Sequence, residues 1–236
     1  MELIFLDTET TGNDTAKDRL CQVCYKTSSG IRTEYFKPPM PVSVKAMSIT
    51  HITNKMLEGK PAFQGSDMEK DLQGRLDSGV LIAHNAKFDV AMLENEGMKI
   101  PNRICTLRVA RFLDSENAIP EYNLQYLRYY LGLEVEGNAH DAECDVKVLN
   151  AVFDRLFSKL RKTEESEEST LAKMIEISKT PSVYKQFDFG KHKGKKIEDV
   201  AKVDRGYLEW LLKEKLATDA NDEDWIYTLK RHLNIL

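Results

Sequence analysis

The chain has 236 residues, 42% of them hydrophobic and 31% charged, with a formal net charge of −4 and a sequence pI of about 5.8. That is a globular composition, long enough for one medium domain and a smaller one, with no apolar run near the roughly 20 residues of a membrane helix. The acidic balance argues against a protein that coats nucleic acid by general basicity, but not against one that grips a few phosphates locally.

The elements follow in chain order. ELIFLDTE, DRLCQVCYKT and IRTEYFKPP read as three strands, the last two joined by the turn Ser28-Ser29-Gly30. The proline cluster Pro38, Pro39 and Pro41 ends that run. Helices are expected over VSVKAMSITH, over NKMLEG after Thr53, and over GSDMEKDLQGRL with Ser66 or Asp67 as cap. Val80-Leu81-Ile82-Ala83 is a short buried strand, and a helix should follow with Asn85 as N-cap and Gly97 as its stop. ICTLRVARFLD is strand into helix, and YNLQYLRYYLGL is an amphipathic helix ended by Gly132. HDAECDVKVLNAVFDRLFSKL is a long helix with Val148, Leu149, Val152, Phe153 and Leu156 as its inner stripe.

A strand meander followed by alternating strands and helices implies an α/β fold, a mixed sheet flanked by helices. The composition changes after residue 160. RKTEESEESTL is acidic and non-periodic, and the tail FDFGKHKGKKIEDVAKVDRGYLEWLLKEK has its own strand-turn-helix character. The expected organisation is a main domain over 1–160, a linker with a helical segment over 161–180, and a small α+β domain over 181–236. The N-terminus has no basic-apolar-small leader pattern, and the four cysteines are scattered, so a reduced, cytoplasmic protein is expected. Cys21 and Cys24 lie three apart on a strand and face opposite ways, which favours packing over a zinc or redox pair.

Several polar residues sit where folding alone would not put them. Asp7 and Glu9 point the same way at the end of an apolar strand, where like charges repel and resist desolvation. Asp89 falls in the first turn of the helix after VLIA. Asp145 lies on the inner stripe of the long helix, and His140 stands where that helix begins. Singly, Asp89 fits an ordinary acid at a helix N-terminus, and His140 an ordinary satisfied histidine. Four converging carboxylates, by contrast, need a counter-charge, and oxygen-only ligands suit Mg²⁺ or Mn²⁺ rather than zinc.

The stretches FLDTETTG, HNAKFD and HDAECD carry these residues in an order that resembles the DEDDh 3′→5′ exonucleases, relatives of polymerase proofreading domains. SITHIT and AIPEYNLQYL fit the same resemblance, which covers residues 1–158. FDFGKHKGKKIEDVAKVDRGYLEWLL, residues 187–212, resembles the C-terminal region of exonuclease X-type proteins.

The resemblance implies a ribonuclease H-like fold and a two-metal phosphodiester hydrolase that releases nucleoside 5′-monophosphates from DNA 3′ ends, in repair or proofreading. It implies Asp7, Glu9, Asp89 and Asp145 as ligands of two Mg²⁺ (or Mn²⁺) per site, and His140 as general base. Thr10, Thr11 and Gly12 are then expected under the terminal nucleotide, with His51 and Phe88 as candidate contacts; cap and core roles fit those two equally. Lys191, Lys193, Lys195 and Lys196 are candidate phosphate contacts or solvated lysines of a turn. The expected partner is DNA with a free, unpaired 3′ end, with no membrane and no polymerase- or repair-protein-binding segment that stands out. RNA 3′ ends remain an alternative substrate. A nucleic-acid-binding module with a dead nuclease fold is the alternative from another class, although no site residue is missing.

Overall fold

The computed structural model describes residues 1–136, 142–218 and 222–236. Its strands are β1 (Leu3–Thr10), β2 (Leu20–Thr27), β3 (Gly30–Tyr35), β4 (Val80–Ala83) and β5 (Arg103–Cys105). The helices up to residue 130 are α1 (Val44–Thr50), α2 (Asp67–Leu76), α3 (Lys87–Asn95), α4 (Thr106–Leu113) and α5 (Leu124–Tyr130), with a 3₁₀ turn at Asn54–Leu57. After them come α6 (Ala142–Arg161), α7 (Glu167–Lys179), α8 (Ile197–Val203), α9 (Arg205–Thr218) and α10 (Glu223–Leu233). None of the described helices is long and apolar enough to cross a membrane.

The sheet order is β3-β2-β1-β4-β5, antiparallel through β1 and parallel from β1 to β5. This is the mixed sheet that a meander followed by crossovers produces. Alternation along β1 sends Ile4 and Leu6 into a core with Met68, Leu72 and Leu76 of α2 and Leu93 of α3. Phe5 goes to the other face, against Phe153 of α6. With both faces covered, the central strands read as apolar runs, as in the fully buried β4.

Local signals set most of the helix ends. Ser66 accepts from Glu69 N–H at 3.1 Å and caps α2, and Gly97 takes the left-handed backbone that closes α3. Asn85 is not the cap of α3. It adopts a left-handed backbone with φ of 62° in the turn out of β4, and Ala86 is the N-cap without a side-chain bond. Asn tolerates that region, so the turn rather than the helix uses it. A second difference lies in β2. Glu9 pairs with Gln22 but Thr10 pairs with Leu20, so Cys21 is an extra residue at a bulge. Its thiol is buried in a small cluster with Val42, Ala46, Ile52 and Leu57. Burial, and then Glu9, push that thiol up to about 12. Cys24 is also buried and accepts from the Thr33 hydroxyl at 3.1 Å.

The chain forms two compact units, residues 1–109 with 121–178, and residues 110–120 with 179–236. Of the linker with a helical segment expected over 161–180, residues 161–178 belong to the first unit. The Ser178 hydroxyl accepts from Cys105 N–H at 2.8 Å, and Thr170 and Met174 are fully buried. Residues 110–120 belong to the second unit through Arg111, which pairs with Asp224 at 2.5 Å and lies over the Tyr184 ring. The second unit has its own core of Phe187, Ile197, Val200, Leu208, Leu211, Trp225 and Leu229. Among its described residues the β content is the bridge Gln186–Lys196, and its helices are α8 to α10 with the end of α4.

Candidate active site

Phe5, Asp7 and Glu9 share one face of β1. The Phe5 ring meets Phe153 edge-on at 5.3 Å between centroids, so α6 lies over that face. From Phe5 to Glu9 the strand advances about 13 Å. From Phe153 back through Leu149 to Asp145 the helix retreats about 12 Å along one stripe. The two advances match, and Asp145 acts electrostatically on both Glu9 and Asp7.

Asp89 arrives by another route. β4 pairs with β1 only from Leu3 to Phe5, so the β1 edge beyond Phe5 has no strand beside it. The first turn of α3 fills that place. Asp89 is buried there, accepting from the Thr8 hydroxyl at 2.8 Å, and the Thr8 backbone N–H also draws its carboxylate down. The fold thus brings Asp7, Glu9, Asp89 and Asp145 to one end of β1.

Their electrostatics are those of a like-charged cluster. Asp7 is raised well above the ordinary carboxylate range, by burial first and then by Asp89, Glu9 and Asp145. Burial, then Asp145 and Asp89, raise Glu9 to about 7. Asp89 also reaches about 7, through burial, against the pull of its Thr8 bonds. Among the described residues, no three His, Cys, Asp or Glu side chains form a ready-made metal-ligand group. The carboxylates influence one another through space, and their all-oxygen donor set fits a hard divalent cation.

Two partners in this site carry no signal in the sequence. Thr8 holds Asp89, although a threonine between two acids reads as a spacer. Gln125 on α5 donates its amide to Asp145 at 2.5 Å. Arg128, one turn further on, donates to the Gln125 oxygen at 3.3 Å and to the Val135 carbonyl. Because Arg128 engages the oxygen of the amide, the NH₂ end of Gln125 is the end that faces Asp145. The nearest hint is the position of Gln125 within AIPEYNLQYL.

His140 lies outside the described residues. Thr10 and Thr11 continue directly from β1, but their side chains are engaged: Thr10 donates to Gly12 O at 2.6 Å, and Thr11 donates to Asp18 at 2.7 Å. A Cβ on Gly12 would stand 2.5 Å from the Asp18 carboxylate, so the close approach that glycine permits there is made by Asp18. His51 is the C-cap of α1, left-handed with an exposed side chain. Phe88 is half-buried against the main core, one residue before Asp89. Another histidine, His84 at the end of β4, bonds Thr106 at 2.9 Å and the Tyr122 carbonyl at 2.7 Å, which ties the turn before α3 to the segment before α5.

The lysine turn lies in the second unit. Lys191 pairs with Asp204 at 2.7 Å and lies over the Tyr207 ring, so it is not a free phosphate ligand. Lys193, Lys195 and Lys196 are exposed and form no ion pair among the described residues.

Comparison with known proteins agrees with this architecture. An exonuclease family model matches residues 4–153, and the exodeoxyribonuclease X-like C-terminal model matches residues 187–215. Exodeoxyribonuclease 10 of Escherichia coli strain K12 is 30% identical over 200 residues, covering 84% of this chain and 82% of that protein. The DNA polymerase III subunit epsilon of Treponema pallidum is 30% identical over 163 residues, covering 64% of this chain and 74% of that subunit. A solved structure of exonuclease X with 5′ overhanging duplex DNA covers 75% of this chain and 99% of that chain at 23% identity, with a TM-score of 0.55. That likeness establishes the ribonuclease H-like fold, the mixed sheet with flanking helices. The chain belongs to the exonuclease family, and its second unit carries the C-terminal module of the exodeoxyribonuclease X type.

Proposed function

We propose that this exonuclease removes nucleotides one at a time from the 3′ ends of DNA, releasing nucleoside 5′-monophosphates, in repair or proofreading of DNA in the cytoplasm. The observation that carries this reading is the carboxylate cluster at the end of β1, where Asp89 and Asp145 help to raise Asp7 and Glu9 and burial raises Asp89. Carboxylates so placed oppose their own ionisation, and a divalent cation reverses that cost. Asp7, Glu9 and Asp145 would hold one Mg²⁺ or Mn²⁺, and Asp7 with Asp89 a second. Bound there, the two ions would neutralise the phosphate, acidify the attacking water and stabilise the leaving oxygen.

The remaining work falls to the protein. His140 takes the proton of the attacking water, a general-base role that imidazole chemistry suits at neutral pH. Gln125 fixes the direction of the Asp145 carboxylate, and Thr8 fixes that of Asp89. The Thr10-Thr11-Gly12 backbone, with His51 and Phe88, positions the terminal nucleotide. Lys193, Lys195 and Lys196 contact backbone phosphates, with Lys191 held back by Asp204. The relatives support DNA as the substrate, since one is named an exodeoxyribonuclease and another is a DNA polymerase subunit.

The test is purified protein on strands labelled at the 3′ or the 5′ end, as DNA and as RNA, with Mg²⁺, Mn²⁺ or excess chelator. The expected outcome is immediate loss of the 3′ label from DNA as a mononucleotide, only with metal. Early release of a 5′ label, or full activity in chelator, would refute the reading, and faster loss from RNA would reassign the substrate.

A further inference from the structure

The second unit carries a surface that its own packing does not explain. α9 places Tyr207 and Trp210 three residues apart, on one side of the helix. Their rings lie 5.5 Å apart, tilted by 34°. Tyr207 is anchored. Its ring meets Phe187 at 5.6 Å and His192 at 4.8 Å, and Lys191 Nζ lies 4.9 Å from its centre. A Cβ on Gly190, which has a φ of 68°, would stand 2.4 Å from the Tyr207 hydroxyl, so this turn closes over the tyrosine only with glycine there.

Trp210 is different. It is 53% exposed, whereas Trp225, the other tryptophan of the chain, is 5% exposed in the core. An indole left in water beside a rigid tyrosine gives the core nothing. The lysine turn that packs on Tyr207 supplies the complementary charge. His192 and Lys191 both converge on Asp204, at 2.8 and 2.7 Å, which fixes the turn. Lys193, Lys195 and Lys196 are left pointing into solvent without an ion pair among the described residues.

We propose that Tyr207 and Trp210 with the Lys193–Lys196 turn form a stacking and phosphate-gripping surface for an unpaired DNA strand. An aromatic face accepts any base, and lysines beside it track the backbone without reading sequence. A duplex keeps its bases stacked on one another and offers Trp210 only its end, so the preference is for single strands. The choice of occupant rests on the reading of this chain as a DNA exonuclease; the surface itself lies wholly in the second unit.

The experiment is fluorescence anisotropy of labelled dT16 with the full chain in excess chelator, where no strand is degraded. Trp210→Ala should weaken binding by about tenfold or more, and Trp210→Phe, which keeps a ring, by less than about threefold. Changing Lys193, Lys195 and Lys196 to alanine should flatten the slope of log K against log salt by about 2. Unchanged binding by Trp210→Ala, or equal affinity for a blunt duplex, would overturn the proposal. Failure of the wild-type chain to bind dT16 would also overturn it and assign the aromatic pair to a protein partner. Hydrolysis of a nitrophenyl ester of thymidine 5′-monophosphate with Mn²⁺ separates the two readings. Trp210→Ala should leave that turnover unchanged. No ester hydrolysis by the wild type would count against the nuclease reading alone, because strand binding is measured without catalysis.

Discussion

Asp89 and Asp204 are the same chemical group in two regions, and the protein moves them in opposite directions. Asp89 is buried at the end of β1 beside other acids, with a hydroxyl and a backbone N–H as donors, and is raised to about 7. Asp204 stands in the tail with Lys191 and His192 on one of its oxygens, and is pulled down to about 2. The tail acid has its counter-charge built in, so its work is to hold a turn. The carboxylates at β1 are steadied by neutral donors, the Thr8 hydroxyl and the Gln125 amide, which aim an oxygen without cancelling its charge. An arrangement that aims acids while leaving them mutually repelling suits a cation from outside the chain.

That contrast can be broken most sharply at Asp7. Asp7→Ala should reduce turnover by about 10³-fold or more, since it removes the acid shared by both proposed cations. The melting temperature in metal-free buffer should hold or rise, because a repelling group is gone. A large drop would make Asp7 a structural acid like Asp204. His140→Ala should lower the rate by about 10²–10⁴-fold with Mn²⁺ binding retained in calorimetry. Weakened Mn²⁺ binding would move His140 from base to ligand.

Gln125→Ala should have a smaller effect, about tenfold on the metal dependence of activity, from the loss of one charge-assisted hydrogen bond. Gln125→Glu should do more harm than the alanine, because it sets a fifth carboxylate against Asp145. If the two variants behaved alike, the amide would be mere packing.

Stability against pH should set the two regions apart by slopes of opposite sign. Glu9 and Asp89 have ordinary values of 4.5 and 3.8 and folded values of about 7. Over that interval the folded chain holds protons that the unfolded chain has released, so metal-free stability should fall as pH rises from about 4 to 7. Asp204 is depressed from 3.8 to about 2, so its contribution is complete above 3.8 and fades as pH falls through that window. Asp204→Asn should remove only the acid-side decline. Urea midpoints across pH, with chelator, measure both.

Periodicity makes most of the fold legible in the sequence. Alternation in LIFLDTET places Asp7 and Glu9 together, and the apolar stripe of α6 places Asp145 inward. What stays hidden depends on contacts between distant segments. Thr8 reaches Asp89 across 81 positions and Gln125 reaches Asp145 across 20, and no local pattern marks either. Asn85 resembles a helix cap because Asn serves both caps and left-handed turns, and only the exit angle of β4 decides between them. The acidic stretch before α7 has the composition of a tether, yet α7 buries Thr170, Met174 and Ser178 in the first unit. In the tail, a lysine run says nothing of which lysine is spent. Asp204 claims Lys191 thirteen positions upstream and leaves the others outward.

The central claim is that the β1 acids form a cation site, and proton release on metal binding tests it most directly. Glu9 and Asp89 are raised to about 7, so a cation that binds there displaces the protons they hold. Calorimetric titration of Mn²⁺ into the full chain at pH 7, in buffers of different ionisation enthalpy, should show binding accompanied by proton release, and Asp7→Ala should lose it. Binding without proton release, or unchanged binding in Asp7→Ala, would contradict the account.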